Sequence, residues 1–253
     1  MIDLTLIGIG SGSPGHLTRE GAAAMAVADL ILIPQKAQKS DLADLRRALC
    51  AEVLPSPPPL ASFPMPQRQV AQGYRQGVED WHDAIAAEWE AVIRAHEAVR
   101  PALLVWGDPS LYDSTLRIAA RVGQRLPLRL RVIPGITAVQ ALCAAHAIPL
   151  NDVAQPVTIT TGRQLRDHGW PSCVDRVVVM LDADPAFQTL DPDGIDIWWG
   201  AYLGLPQQML MQGPLANTGP RIVKARADAR AAHGWIMDTY LLARCGAMWC
   251  SAA

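Results

Sequence analysis

Leu4-Thr5-Leu6-Ile7-Gly8-Ile9-Gly10-Ser11-Gly12-Ser13-Pro14-Gly15 opens the chain with a short apolar run that ends in glycines. A run of this length bounded by a turn signal reads as a buried strand over Leu4–Ile9. The Ala-rich stretch that follows, from Thr18 to about Ala28, reads as a helix with Thr18 as its cap. Leu30–Ile33 is a second strand stopped by Pro34, Asp41–Cys50 is helical, and Glu52–Leu54 is a candidate short strand. Strands alternating with helices imply a mostly parallel sheet, because parallel neighbours need a crossover between them.

Pro55–Pro66 is the most proline-dense stretch and reads as a loop. A long helix follows, with Trp81, Ile85, Trp89 and Val92 on one stripe at helical spacing. Ala102–Trp106 is the next strand and ends at Gly107-Asp108-Pro109. The second half adds strands at Leu130–Ile133, Val157–Thr160, Val177–Leu181 and Ile195–Trp199, and a tail from Ala232 to about Ala243 that reads as helical. The expected fold class is α/β with two domains, 1–112 carrying the glycine-rich loop and 113–253 following it.

The chain has 253 residues, half of them hydrophobic, with a formal net charge of -2. That supplies a real core, and the balanced charge lacks the basic footprint of a nucleic-acid or membrane-surface protein. The five cysteines are scattered, odd in number and without C-x-x-C spacing, which excludes a zinc or disulfide framework as the organising device. No metal site is expected. No apolar stretch approaches the roughly 20 residues of a membrane span, and the N-terminus has no basic region before its apolar run. A cytoplasmic enzyme is expected.

Gly10, Gly12 and Gly15 satisfy G-x-G-x-x-G, so a dinucleotide site is the first rival. Such a site needs a carboxylate at the end of the second strand, where this chain has Ile33-Pro34-Gln35-Lys36, and Asp29 lies at the wrong end. It also needs a helix beginning at the glycines, whereas Pro14, Gly15 and His16 intervene here. Lys36 or Lys39 beside a 2′-phosphate keeps an NADP-dependent oxidoreductase as the alternative from another class.

Four ordered segments carry more information than the glycines alone. They are Leu6–Gly12 with Leu17-Thr18, Gly107-Asp108-Pro109-Ser110-Leu111-Tyr112, Ile133-Pro134-Gly135-Ile136-Thr137-Ala138, and Val157–Gly162. In order and spacing the chain resembles the tetrapyrrole (corrin/porphyrin) methyltransferases over essentially its whole length. Further stretches, among them Trp106–Thr115, Val177–Asp182, Trp199–Gly204 and His233–Asp238, resemble the branch that methylates a corrin precursor at ring carbon one with loss of acetate.

The resemblance implies two α/β domains with S-adenosyl-L-methionine in a cleft between them, a tetrapyrrole substrate and a homodimer. Carried over by position, it implies that Trp106, Gly107, Asp108 and Leu111 line the cofactor on one side and Thr137 and Ala138 on another. Leu181, Tyr202, Leu203 and Gly204 fall where the family meets adenine. The first loop departs from the family's G-x-G-P-G-D, with Ser11 and Ser13 at the Pro and Asp positions on the substrate side.

Methyl transfer from a sulfonium needs alignment and exclusion of water more than acid–base groups. A polycarboxylate substrate calls for Arg and Lys, and the candidates are Arg19, Lys36, Lys39, Arg68, Arg75 and Arg117. Loss of acetate requires attack on an acyl carbon, for which Tyr112 and Asp113 are the candidates directly after the cofactor segment. Asp113 equally suits a helix N-cap, and His82 is a further candidate base. Other members of the same family, a diphthine synthase or a ribosomal-RNA methylase among them, remain open, as does a non-catalytic cofactor-binding module.

Overall fold

Strand β1 (Ile2–Gly8) sits between two parallel neighbours, β4 (Pro101–Val105) and β5 (Leu128–Ile133). In the computed structural model, which describes residues 1–35, 41–67 and 74–244, β1 belongs to the first of two five-stranded sheets. With β2 (Leu30–Gln35) and β3 (Leu60–Pro64) that sheet has the order β3-β2-β4-β1-β5, and all its pairs are parallel. Side chains alternate between its faces. Leu4, Leu6, Leu32 and Leu103 pack against α3 (Tyr74–Ala95) and α4 (Thr115–Gly123). Ile7, Ile31, Ile33 and Leu104 turn the other way, into a core with Met25 of α1 (Arg19–Val27) and Cys50 of α2 (Asp41–Val53). A parallel sheet covered on both faces explains why its strands read as unbroken apolar runs.

The second sheet, in order β6-β7-β10-β8-β9, is built from β6 (Val157–Thr161), β7 (Arg176–Met180), β8 (Ile195–Ala201), β9 (Met209–Pro214) and β10 (Asp238–Arg244). Only β6 and β7 are parallel, and the other pairs are antiparallel. The helices α5 (Ala138–His146), α6 (Gly162–His168) and α7 (Leu215–His233) complete this half. The chain divides into compact units Met1–Thr137 and Ala138–Ala253. This is later than the 112/113 division expected at the Gly107-Asp108-Pro109 turn, because β5 pairs with β1 and draws the following residues into the first unit.

Several elements differ from the sequence reading. Glu52 and Val53 finish α2 rather than form a strand. The proline-rich loop contains β3, with Ala61 and Phe63 buried and their neighbours exposed. As the edge strand it needs hydrogen bonds on one side only, so proline is tolerated there. Pro34 does not stop β2, since β2 pairs with β4 only over Leu30–Leu32 and the missing N–H lies past that pairing. The expected tail helix is the end of α7 followed by β10. Residues Thr239–Ala243 of β10 are all buried, and a strand buried on both faces lacks the alternation that would reveal it. Among the described residues no helix is long and apolar enough to cross a membrane.

Candidate functional site

In the first unit the ends of β1 and β4 and the turn after β5 converge. Gly10 and Gly107 exchange backbone hydrogen bonds of 3.2 and 2.8 Å. A Cβ on Gly8 would come within 2.5 Å of the Gly135 nitrogen, and one on Gly135 within 2.2 Å of the Gly107 oxygen. These three segments touch through bare backbone, which is why glycine stands at each approach. Gly107 has a different reason. Its φ is +69°, and a Cβ there would meet nothing within 4 Å, so its α-carbon faces open space.

Asp108 ties the arrangement together. One carboxylate oxygen accepts from Ser110 N at 2.8 Å and from the Ser110 hydroxyl, and the other accepts from Gly135 N at 2.8 Å. Burial alone would raise its pKa, but these hydrogen bonds outweigh it and hold the carboxyl below its ordinary value. Beyond Leu111, Tyr112 has φ +50° and is 42% exposed, an uncommon conformation for a bulky side chain and one that concentrates at functional sites. Burial of part of the ring raises its phenol pKa. The Asp113 carboxylate accepts from Thr115 N at 2.6 Å, so it closes the turn into α4. Arg117 donates to the Asp113 carbonyl at 2.8 Å. Trp106 is half-buried beside this turn.

The first loop is occupied with its own structure. Ser11 is buried, with its hydroxyl 3.2 Å from His16 Nδ1, and Ser13 caps the 3-10 turn Pro14–His16 by accepting from Gly15 N. Thr18 then caps α1 by accepting from Gly21 N. The helix therefore starts well past the glycines, and Asp29 spends its carboxylate on the N–H groups of Val99 and Arg100. With β4 between β1 and β2, the dinucleotide arrangement, in which those strands are neighbours, is absent. Arg19 is exposed on α1. Lys36, Lys39 and Arg68 lie outside the described residues, as does the Arg75 side chain. His82 is buried on α3, its ring nitrogens without partners among the described residues.

Thr137 ends the first unit and Ala138 begins α5. In the second unit Leu181 follows β7 with φ +52° and is 66% exposed. An exposed leucine in the left-handed region is held there by its neighbour. Asp182 is buried, accepting from Ala186 N at 2.7 Å and from the Tyr240 hydroxyl at 2.6 Å. Tyr202, with φ +51°, is buried against His233 and Trp235, and its hydroxyl donates to the Trp235 carbonyl. Leu203 is buried, and Gly204 has φ +81°. This turn can therefore offer backbone, but not the Tyr202 ring, to a ligand.

In the first unit, the open space before Gly107 suits a ligand approached by bare backbone. Comparison with known proteins agrees. The family model of Tetrapyrrole (Corrin/Porphyrin) Methylases matches residues 3–218. A precorrin-6A synthase [deacetylating] from Sinorhizobium sp. is 45% identical over 249 residues, covering 96% of this chain and 95% of its own. The structure of a cobalamin synthesis related protein (CobF) from Corynebacterium diphtheriae superposes with TM-score 0.83 at 37% identity, over 96% of this chain and 99% of that one. The fold is shared at 16% identity by a uroporphyrin-III C-methyltransferase from Thermus thermophilus complexed with S-adenosylhomocysteine, with TM-score 0.58 over 95% and 97% of the two chains. With the glycine-tied strand ends, the four ordered segments and the family match all in one chain, this protein belongs to the tetrapyrrole (corrin/porphyrin) methylases.

Proposed function

We propose that this chain is a precorrin-6A synthase (deacetylating), an S-adenosylmethionine-dependent C-methyltransferase of cobalamin biosynthesis. It methylates precorrin-5 at ring carbon one and releases acetate, giving precorrin-6A. The observation that carries this reading is the 45% identity to the Sinorhizobium enzyme, sustained over nearly the full length of both chains. S-Adenosylmethionine supplies a methyl group already activated by its sulfonium charge. The work left to the protein is to align that group and keep water away.

In this reading Trp106, Gly107, Asp108 and Leu111 line the cofactor, the Asp108 carboxylate fixing the loop that presents their backbone. Thr137 and Ala138, Leu181, and the Tyr202–Gly204 backbone complete its contacts. Tyr112 and Asp113 serve the loss of acetate, and Arg19 and Arg117 hold substrate carboxylates. Ser11 and Ser13 shape the loop that carries them. The enzyme works in the cytoplasm as a homodimer.

Calorimetric titration with S-adenosylhomocysteine, with NADP as the parallel control, tests the cofactor. Binding of the first and not the second is expected, followed by methylation of precorrin-5. Binding of NADP alone would overturn the reading.

A further inference from the structure

The first unit contains a cavity of about 160 Å³ at the ends of β2, β3 and β4, walled by α3 and α4. Phe63, Trp81, Trp89 and Trp106 contribute aromatic walls to a mostly apolar lining, yet Arg46 and Asp113 also line it. Arg46 lies on the apolar side of α2, one turn from Ala43 and Cys50, and is only 9% exposed. Its Nε donates to the Leu104 carbonyl and its Nη1 to the Leu42 carbonyl, both at 3.0 Å. Its Nη2 has no acceptor among the described residues. Asp113 is the carboxylate that acts on it through space, but Asp113 is held by Thr115 and forms no ion pair with Arg46.

A guanidinium buried beside aromatic walls without a paired anion is costly to keep. Burial pushes the Arg46 pKa down to about 10 against the pull of Asp113, so the group remains charged at neutral pH. A planar cation with an unused donor, facing a small cavity with apolar walls, matches a short monocarboxylate with an apolar end.

We propose that this cavity seats an acetate-sized carboxylate, its oxygens paired with Arg46 and its carbon end against Phe63, Trp81 and Trp89. The biological source of that group rests on the methylase reading. It is either the acetate released in the reaction or a carboxymethyl arm of the tetrapyrrole.

The test is a titration of the full-length protein with ¹³C-acetate at constant ionic strength, followed by NMR, with chloride as the competing anion. Saturable binding in about the millimolar range is expected, as suits so small a ligand, undisturbed by chloride. Arg46→Met should bind at least about tenfold more weakly. Ser114→Leu, which narrows the cavity and removes no side-chain cap bond, should weaken binding while leaving Arg46 in place. It keeps the test decisive if Arg46→Met does not fold.

Acetate that behaves like chloride, or binds equally to wild type and the folded variants, overturns the site. In turnover, acetate competing with the tetrapyrrole identifies the seat of an arm, and acetate inhibiting without competition identifies the seat of the released product. S-Adenosylhomocysteine titrated in parallel separates the two proposals. Its loss with acetate binding retained overturns the methylase reading alone, and the reverse overturns the acetate site alone.

Discussion

Replacing Gly135 by alanine should destabilise the first unit far more than replacing Gly107. The added methyl of Gly135→Ala would lie 2.2 Å from the Gly107 oxygen and 2.7 Å from the Gly8 carbonyl carbon. Real Cβ contacts stay above 3.0 Å, so the backbone must give by about 0.8 Å. The opposing atoms are main chain at the ends of β1 and β4, and no side-chain rotation relieves them. Overpacking costs about 1–3 kcal/mol, and the rigidity here puts Gly135→Ala at the upper end. The same displacement stretches the 2.8 Å bond from Gly135 N to Asp108, a charge-assisted bond worth roughly 1.5–3 kcal/mol. The total is about 3–5 kcal/mol, a fall of roughly 10 °C or more in melting temperature. Gly107→Ala meets nothing within 4 Å and has only its φ of +69° to accommodate, about 1–2 kcal/mol. Scanning calorimetry of the two variants beside wild type measures the difference. A Gly135→Ala protein that melts at or above Gly107→Ala would refute the argument from backbone contact.

Asp108→Asn keeps one acceptor for three donors and should cost about 2–3 kcal/mol in chemical denaturation. Because the Asp108 carboxyl is held below its ordinary value, its contribution is fully present above the unfolded pKa of about 3.9 and is lost as pH falls from there through the folded value. Wild-type stability should therefore decline more steeply than that of Asp108→Asn between pH 5 and the acid limit, and parallel curves would contradict the assignment. Leu181→Gly relieves a left-handed φ and should stabilise the second unit by about 1 kcal/mol, while weakening S-adenosylhomocysteine binding measured by calorimetry. Unchanged affinity would remove Leu181 from the cofactor contacts. Tyr112→Phe should leave that affinity intact and slow turnover of precorrin-5 roughly a hundredfold; normal turnover would exclude the hydroxyl from the chemistry.

Most of the first sheet was legible because its strands end at punctuation, glycine at Gly8 and Gly107 and the Pro134-Gly135 pair, and because Thr18 announces α1. The second sheet was harder to read. Met209–Pro214 alternates partly buried with exposed residues and is broken by Gly213, while β10, buried from Thr239 to Ala243, lacks the alternation of a half-buried strand. The segments that carry the family resemblance were legible as an ordered set. The role of Asp108 as a tie to Gly135 was not, since the two are brought together only by the strand order. Ser11 and Ser13 stand at informative positions of the sequence, but their engagement with His16 and Gly15 is a matter of local turn geometry that the sequence does not announce. Arg46 leaves a trace in the sequence. It interrupts the apolar spacing of Leu42, Ala43, Leu49 and Cys50, and a charge on the buried stripe of a helix asks for a partner.

The place of β10 bears on how the protein comes into being on the ribosome. The first sheet is complete once β5 has been made, so that unit can close while synthesis continues. The second sheet has its last-made strand at its centre, paired on one side with β7 and on the other with β8. Until residues Asp238–Arg244 emerge, β6-β7 and β8-β9 are two separate pairs with facing open edges. A message cut short before that strand would yield one finished half and one exposed to edge pairing. Quality control would then meet a protein half folded by order of manufacture, not by weakness of its core.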